Sequence, residues 1–92
     1  MIYRRTARFK KAYHNLPKAV QKKVAEAFIQ FQTNPSHPSL GVKKIQGREA
    51  IWEGRIDLQY RFTFHFETDE VTGETFCVFC NVDNHGECLK NP

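Results

Sequence analysis

Leu58-Gln59-Tyr60-Arg61-Phe62-Thr63-Phe64-His65-Phe66 is the stretch on which the fold turns. Successive side chains of a β-strand point to opposite faces. The strict alternation therefore places Leu58, Tyr60, Phe62, Phe64 and Phe66 on one face and Gln59, Arg61, Thr63 and His65 on the other. One greasy face and one polar face describe a half-buried antiparallel strand. Downstream, residues 67–74 (Glu-Thr-Asp-Glu-Val-Thr-Gly-Glu) read as a hairpin loop, and Thr75 to Val82 are apolar on both faces, as an inner strand requires. Upstream, residues 51–57 alternate more loosely and supply a third strand of the meander, with Trp52 and Ile56 directed to the apolar side.

Working further towards the N-terminus, the period changes. Residues 34–41 (Asn-Pro-Ser-His-Pro-Ser-Leu-Gly) form a turn-rich connector. Before it, Val20, Val24, Ala27, Phe28 and Phe31 recur at helical spacing, with Lys18, Gln21, Lys22 and Lys23 on the other face. Asn15 as a capping residue and Pro17 in the first turn open this helix, and Asn34-Pro35 closes it. Phe9, Ala12, Tyr13 and Leu16 mark a shorter helix capped by Thr6, and Met1 to Arg5 read as an opening strand. The expected architecture is α+β: two N-terminal helices packed on one face of a small, mainly antiparallel sheet, in the order β-α-α-β-β-β. The helices cover the Leu58/Tyr60/Phe62/Phe64/Phe66 face, and the opposite face stays open with Glu53, Arg55 and Arg61 projecting from it.

Ninety-two residues suffice for one such core, so residues 1–92 are read as a single domain. A content of 40% hydrophobic and 26% charged residues is that of a chain that folds. Residues 1–48 carry eleven Lys and Arg against Glu26, a net +10, whereas residues 49–92 carry Arg55, Arg61 and Lys90 against nine acids, a net −6. A basic half of this density points to a polyanion or an acidic protein as partner. No apolar run approaches the ~20 residues needed to span a bilayer, and Met1 to Lys11 carries charges where a signal peptide needs its apolar stretch. A cytoplasmic protein without a membrane partner is the expectation, consistent with three closely spaced cysteines, Cys77, Cys80 and Cys88.

Two constellations compete for the chemistry. Cys77-x2-Cys80-x4-His85-x2-Cys88 nearly matches a zinc-knuckle spacing. However, an odd separation puts Cys77 and Cys80 on opposite faces of a strand, and no glycine supplies the tight turn, so inert strand cysteines and no metal or other cofactor are expected. The second set is Arg61 with His85, joined by Glu53 and Arg55 and by the Lys43, Lys44 and Arg48 cluster entering the sheet. Metal-free RNA cleavage needs a base for the ribose 2′-OH, an acid for the departing 5′ oxygen and cations against the phosphate charge. An imidazole suits acid or base work, an arginine fork suits phosphate, and Glu53 is an alternative base. On residue pattern alone the simpler reading is a Glu53–Arg61 cross-strand ion pair with His85 at the surface. His14, His37 and His65 read as surface residues and Trp52 as core.

The succession of motifs resembles the RelE/ParE-like toxins of bacterial toxin–antitoxin modules. It is carried by Phe9-Lys10-Lys11, Leu16-Pro17, Asn34-Pro35, Lys44-Ile45-x-Gly47, Trp52-x-x-Arg55, Tyr60-Arg61 and His85 after the last strand, and it spans essentially the whole chain. The resemblance implies a RelE-like fold and a metal-independent endoribonuclease, an mRNA interferase that cuts mRNA in the ribosomal A site and is neutralised by a cognate antitoxin. It implies Arg61 as the phosphate-binding arginine, Arg55 and His85 as counterparts of the YoeB-like residues, with His85 in acid–base catalysis. Lys10, Lys11, Lys43, Lys44 and Arg48 would bind mRNA and ribosomal RNA. Lys43 stands where that branch keeps a glutamate, Gly86 where an aromatic residue often follows the histidine, and Asn81 where an arginine is common, which leaves three readings of the base: Glu53, His85, or none, with positioning and cations acting on RNA shaped by the ribosome. Two other readings are a ParE-like DNA gyrase inhibitor and a small zinc-dependent nucleic-acid binder.

Overall fold

The structure, a computed structural model, describes residues 1–47 and 50–92, with Leu89 described in its backbone alone. The chain runs β1 (Ile2–Arg5), α1 (Ala7–His14), α2 (Lys18–Thr33), a 3-10 turn (Pro38–Leu40), β2 (Lys43–Lys44), β3 (Trp52–Arg55), β4 (Tyr60–Thr68), β5 (Thr75–Asn84) and α3 (His85–Lys90). Among the described residues the strands form one sheet in the order β1-β5-β4-β3-β2, with β1 parallel to β5 and the other neighbours antiparallel. Two elements add to the expected β-α-α-β-β-β order: the two-residue β2 and the terminal α3.

Local chemistry accounts for the ends of the elements. The Thr6 side chain accepts a hydrogen bond from the Phe9 N–H and starts α1. Asn15 closes α1 rather than opening α2, whose N-cap is Pro17 without a side-chain bond. The Gln21 amide instead reaches back to the Tyr13 and Leu16 carbonyls at 3.0 and 3.3 Å and satisfies the end of α1. Asp57 Oδ1 accepts from the N–H groups of Gln59 and Tyr60, both at 2.8 Å, and this turn delays the start of β4 to Tyr60. Leu58, expected on the core face, is therefore 87% exposed in the turn. Burial pushes the Asp57 carboxyl up, but those two hydrogen bonds and Lys23, 3.1 Å away on α2, outweigh it and hold the group below its usual range.

α1 and α2 bury Phe9, Val20, Val24, Ala27 and Phe31 against Phe62, Phe64, Cys77, Phe79 and Val82 of the sheet. Phe79 stacks on Phe28 with ring centroids 4.4 Å apart, and Trp52 stacks on Phe64 at 6.4 Å, which places Trp52 in the core layer as expected. Beside them Gly54 leaves room for the Phe62 ring: a Cβ there would stand 2.2 Å from it.

Between β4 and β5 the register slips, because Phe64 opposes Phe79 while Thr63 opposes Asn81. Cys80 is the extra residue, a β-bulge. It keeps Phe79 in the core and turns Cys80 and Asn81 together to the far face. That face is not open. α3 and the residues after it fold back over it, Cys88 being fully buried with its thiol donating to the Arg61 carbonyl at 3.1 Å. Pro92 O accepts from Thr63 Oγ1 at 2.6 Å, and Asn91 O accepts from Asn81 Nδ2 at 2.9 Å.

Two outcomes follow. Gly54→Ala overpacks the Phe62 site and is expected to lower unfolding free energy by about 1–3 kcal/mol, read from urea titration. Burial pushes the Cys77 and Cys88 thiols from 9.0 up to about 12. A folded value above the unfolded one gives stability that is complete below pH 9 and declines as the pH climbs towards 12, so denaturant midpoints should fall steadily across that window. A flat midpoint between those limits would contradict the burial of both thiols.

Candidate functional site

The far face of the sheet carries two rows of polar side chains, each aligned by strand register. The first runs Lys43–Glu53–Thr63–Asn81 across β2 to β5, and the second runs Arg55–Arg61–Asp83 across β3 to β5. The rows are two residues apart along the strands, about 7 Å. One step beyond the second row, the His85 N–H donates to Gln59 O at 2.6 Å, which fixes His85 at the same end of the sheet as Arg61. The register thus brings the backbone positions of Lys43, Glu53, Arg55, Arg61 and His85 near one another, though their side chains then diverge.

Within the first row, Glu53 is 3% exposed. Its Oε1 lies 3.6 Å from Lys43 Nζ, while Oε2 is buried without a hydrogen-bond partner among the described residues. The Lys43 side chain is 71% exposed, so screening by water makes the pair weak compensation for a buried carboxylate. The expected Glu53–Arg61 ion pair does not form. Register explains this, since Glu53 sits opposite Thr63 and Arg61 sits opposite Arg55 and Asp83.

The Arg61 guanidinium turns towards the β3–β4 turn, where Nη1 donates to Asp57 O at 2.6 Å and to Tyr60 O at 3.1 Å. Among the described residues it makes no other hydrogen bond, so Nε and Nη2 keep donors for an anion. Arg55, facing a like charge across the ladder, lies with its guanidinium against Gly41, 3.5 Å from where a Cβ would stand. There it borders a shallow pocket with Lys23 and Glu26 of α2, so Arg55 and Arg61 share a row but not a common anion cradle. His85 is exposed at the first turn of α3, which Asn84 caps by accepting from the Glu87 N–H at 3.0 Å.

The cationic residues divide as follows. Lys43 and Lys44 extend to opposite sides of β2, and Lys44 Nζ stands 5.4 Å from the centroid of the Trp52 ring. Lys11 lines a polar groove of about 820 Å³ between α1 and α3, shared with Arg8, Asn15, Asn81, Asp83 and Glu87. Lys10 is exposed on α1 outside that groove, and Arg48 lies outside the described residues. Asn81, where the resemblance makes an arginine common, is buried and spends its amide on Asn91 O. Sequence reading missed Arg8 and Asn91, which line this groove, and Thr63, whose hydroxyl donates to Pro92 O at its edge. The one advance signal was the Asn84-x-x-Glu87 capping pattern that announces α3.

The cysteines divide between the two faces. Cys77 belongs to the core cluster under the helices, Cys80 lies on the far face beside His65, and Cys88 is buried under α3. The zinc-knuckle spacing is thereby split across the sheet. His65, expected as a plain surface residue, is instead half-buried and bonded on both ring nitrogens, Nδ1 to Cys80 Sγ at 3.0 Å and Nε2 to Glu67 Oε1 at 3.2 Å.

No protein-family model and no curated protein matches the sequence. Solved structures do match. A YoeB/ParE toxin from Agrobacterium tumefaciens aligns with a TM-score of 0.71 at 13% identity, over 92% of this chain and 99% of that one. The RelB–RelE antitoxin–toxin complex of Methanococcus jannaschii gives a TM-score of 0.66 at 18% identity over 100% of both chains. The toxin–antitoxin complex RelBE2 of Mycobacterium tuberculosis gives 0.64 at 23% identity, over 91% of this chain and 96% of that one. Coverage nearly end to end at these scores gives the chain the RelE/ParE-like toxin fold.

Proposed function

We propose that this protein is the toxin of a type II toxin–antitoxin pair and acts as a metal-independent endoribonuclease on mRNA held in the ribosomal A site. The observation that carries the reading is the polar far face, where register sets Arg61 and His85 at one end of the sheet next to the buried carboxylate of Glu53. Two of the similar structures are described as toxin–antitoxin complexes, which supports a cognate antitoxin as partner.

In this mechanism the 2′-OH of the RNA attacks the adjacent phosphorus in line with the departing 5′ oxygen. The spare donors of Arg61 meet the charge that grows on the phosphate oxygens, where fixed cations act most strongly. His85, the exposed acid–base group at that end, takes the 2′-OH proton or supplies one to the leaving oxygen. Glu53 has an unpartnered oxygen for the base role but is only 3% exposed, so in this conformation it does not reach the reacting groups directly. The ribosome supplies the in-line geometry of the RNA, a contribution on the order of several kcal/mol. Lys10, Lys11 and Lys43, with the other cations of the basic half, bind the surrounding RNA backbone.

Arg61→Ala is expected to lower mRNA cleavage in a reconstituted translation reaction by roughly 100-fold, the loss typical of one charge-stabilising donor, and His85→Ala to do the same. Unchanged cleavage in the double variant would overturn the reading, and DNA breaks with intact messages would indicate the gyrase-directed activity instead. Glu53→Gln removes a poorly compensated buried charge, so its unfolding free energy should rise by about 1 kcal/mol, measured by denaturant titration.

A further inference from the structure

The bulge at Cys80 assembles a second set of reactive groups that the mechanism above does not use. Phe79 and Asn81 keep the ladder partners Phe64 and Thr63, and the extra residue between them turns its thiol across the face to β4. There His65 Nδ1 stands 3.0 Å from Cys80 Sγ, and His65 Nε2 stands 3.2 Å from Glu67 Oε1. One tautomer satisfies both contacts: with the proton on Nε2, that N–H donates to Glu67 and Nδ1 accepts from the thiol. Nucleophile, base and carboxylate in hydrogen-bonded series is the arrangement that activates a thiol.

We propose that Cys80 is a modification site, a nucleophilic thiol that exchanges with low-molecular-weight disulfides while His65 takes its proton. The S–H proton passes to His65 Nδ1 and the Cys80 sulfur bonds to one sulfur of the disulfide. The old S–S bond breaks and its electron pair leaves on the departing thiolate, which is protonated by the imidazolium or by water. Cys80 ends oxidised in a mixed disulfide and the released thiol is the reduced product. Glu67 is a positioning residue that stabilises the imidazolium formed on the way. Burial pushes the Cys80 thiol above its ordinary value, with Glu67 adding to the rise and Arg8 opposing it, so without a base this sulfur is slow at neutral pH.

Access separates the three cysteines. Cys77 and Cys88 are fully buried, while Cys80 is partly exposed and its partners more so, the side chains of His65 and Glu67 being 29% and 55% exposed. The group gained at Cys80 stands next to Asn81, at the margin of the face that the C-terminal segment covers.

The test uses the reduced full-length protein with oxidised glutathione as probe, followed by intact-mass and fragment analysis. One glutathione per chain on Cys80 is expected, with none after Cys80→Ser. His65→Gln should slow uptake at least tenfold at pH 7.5, with the gap closing at alkaline pH where the thiolate forms unaided, and Glu67→Gln should slow it less. Should His65→Gln fail to fold, the rate–pH profile of the unaltered protein decides, because base assistance gives a neutral plateau before the alkaline rise. Label on Cys77 or Cys88, no uptake, equal rates for His65→Gln, or a profile with the single rise of an unassisted thiol would each overturn the proposal.

Discussion

The rings around Phe79 hold the molecule together. That one side chain lies against Tyr3 of β1, Phe9 of α1, Phe28 and Phe31 of α2, and Phe62 and Phe64 of β4, with centroid separations from 4.4 to 6.2 Å. β1, α1, α2 and β4 therefore meet β5 at a single position. Aromatic pairs add about 0.5–1.5 kcal/mol each beyond the area they bury, so the cluster fixes both the seating of the helices and the pleat of β5. The polar far face follows from this: with Phe79 locked inward, the bulged Cys80 and its neighbour Asn81 have only the other side to occupy.

The far face carries two arrangements that lower stability. A core optimised for folding would not place a carboxylate at Glu53 with one oxygen unpartnered, nor set Arg55 directly across from Arg61. Both arrangements cost free energy that the aromatic layer on the opposite face offsets. Natural proteins break local rules of this kind mainly where a surface has a task.

What the sequence could reveal divides along the same line. The helices and β4 were legible because long periodic apolar patterns report directly on burial, as with Val20, Val24, Ala27 and Phe31. Leu58 was misassigned because alternation continues unbroken through a turn whose geometry depends on one side chain, Asp57. α3 has six residues and too little apolar periodicity to register, so the covering of the far face went unseen. The alternation placed Glu53 and Arg61 on the face away from the helices, but how the side chains pair there was not legible. Whether Glu53 meets Arg61 or Lys43 depends on register, which a strand sequence does not state, and the slip at Thr63/Phe64 that joins Cys80 to His65 depends on packing inside the core.

The parallel pairing of β1 with β5 has a consequence for when the molecule comes into being. Thr6 bonds to Cys80 across a separation of 74 residues, and Ile2 to Arg5 align with Phe76 to Phe79. Contacts so distant in the chain are the slowest to close, since the entropy of the intervening loop must be lost first. A nascent chain that has not yet supplied β5 offers β1 no ladder and Phe9 no ring to pack on. The fold is thus completed only once β5 has been synthesised, and a protein proposed to stop translation stays incompetent until that point of its own synthesis.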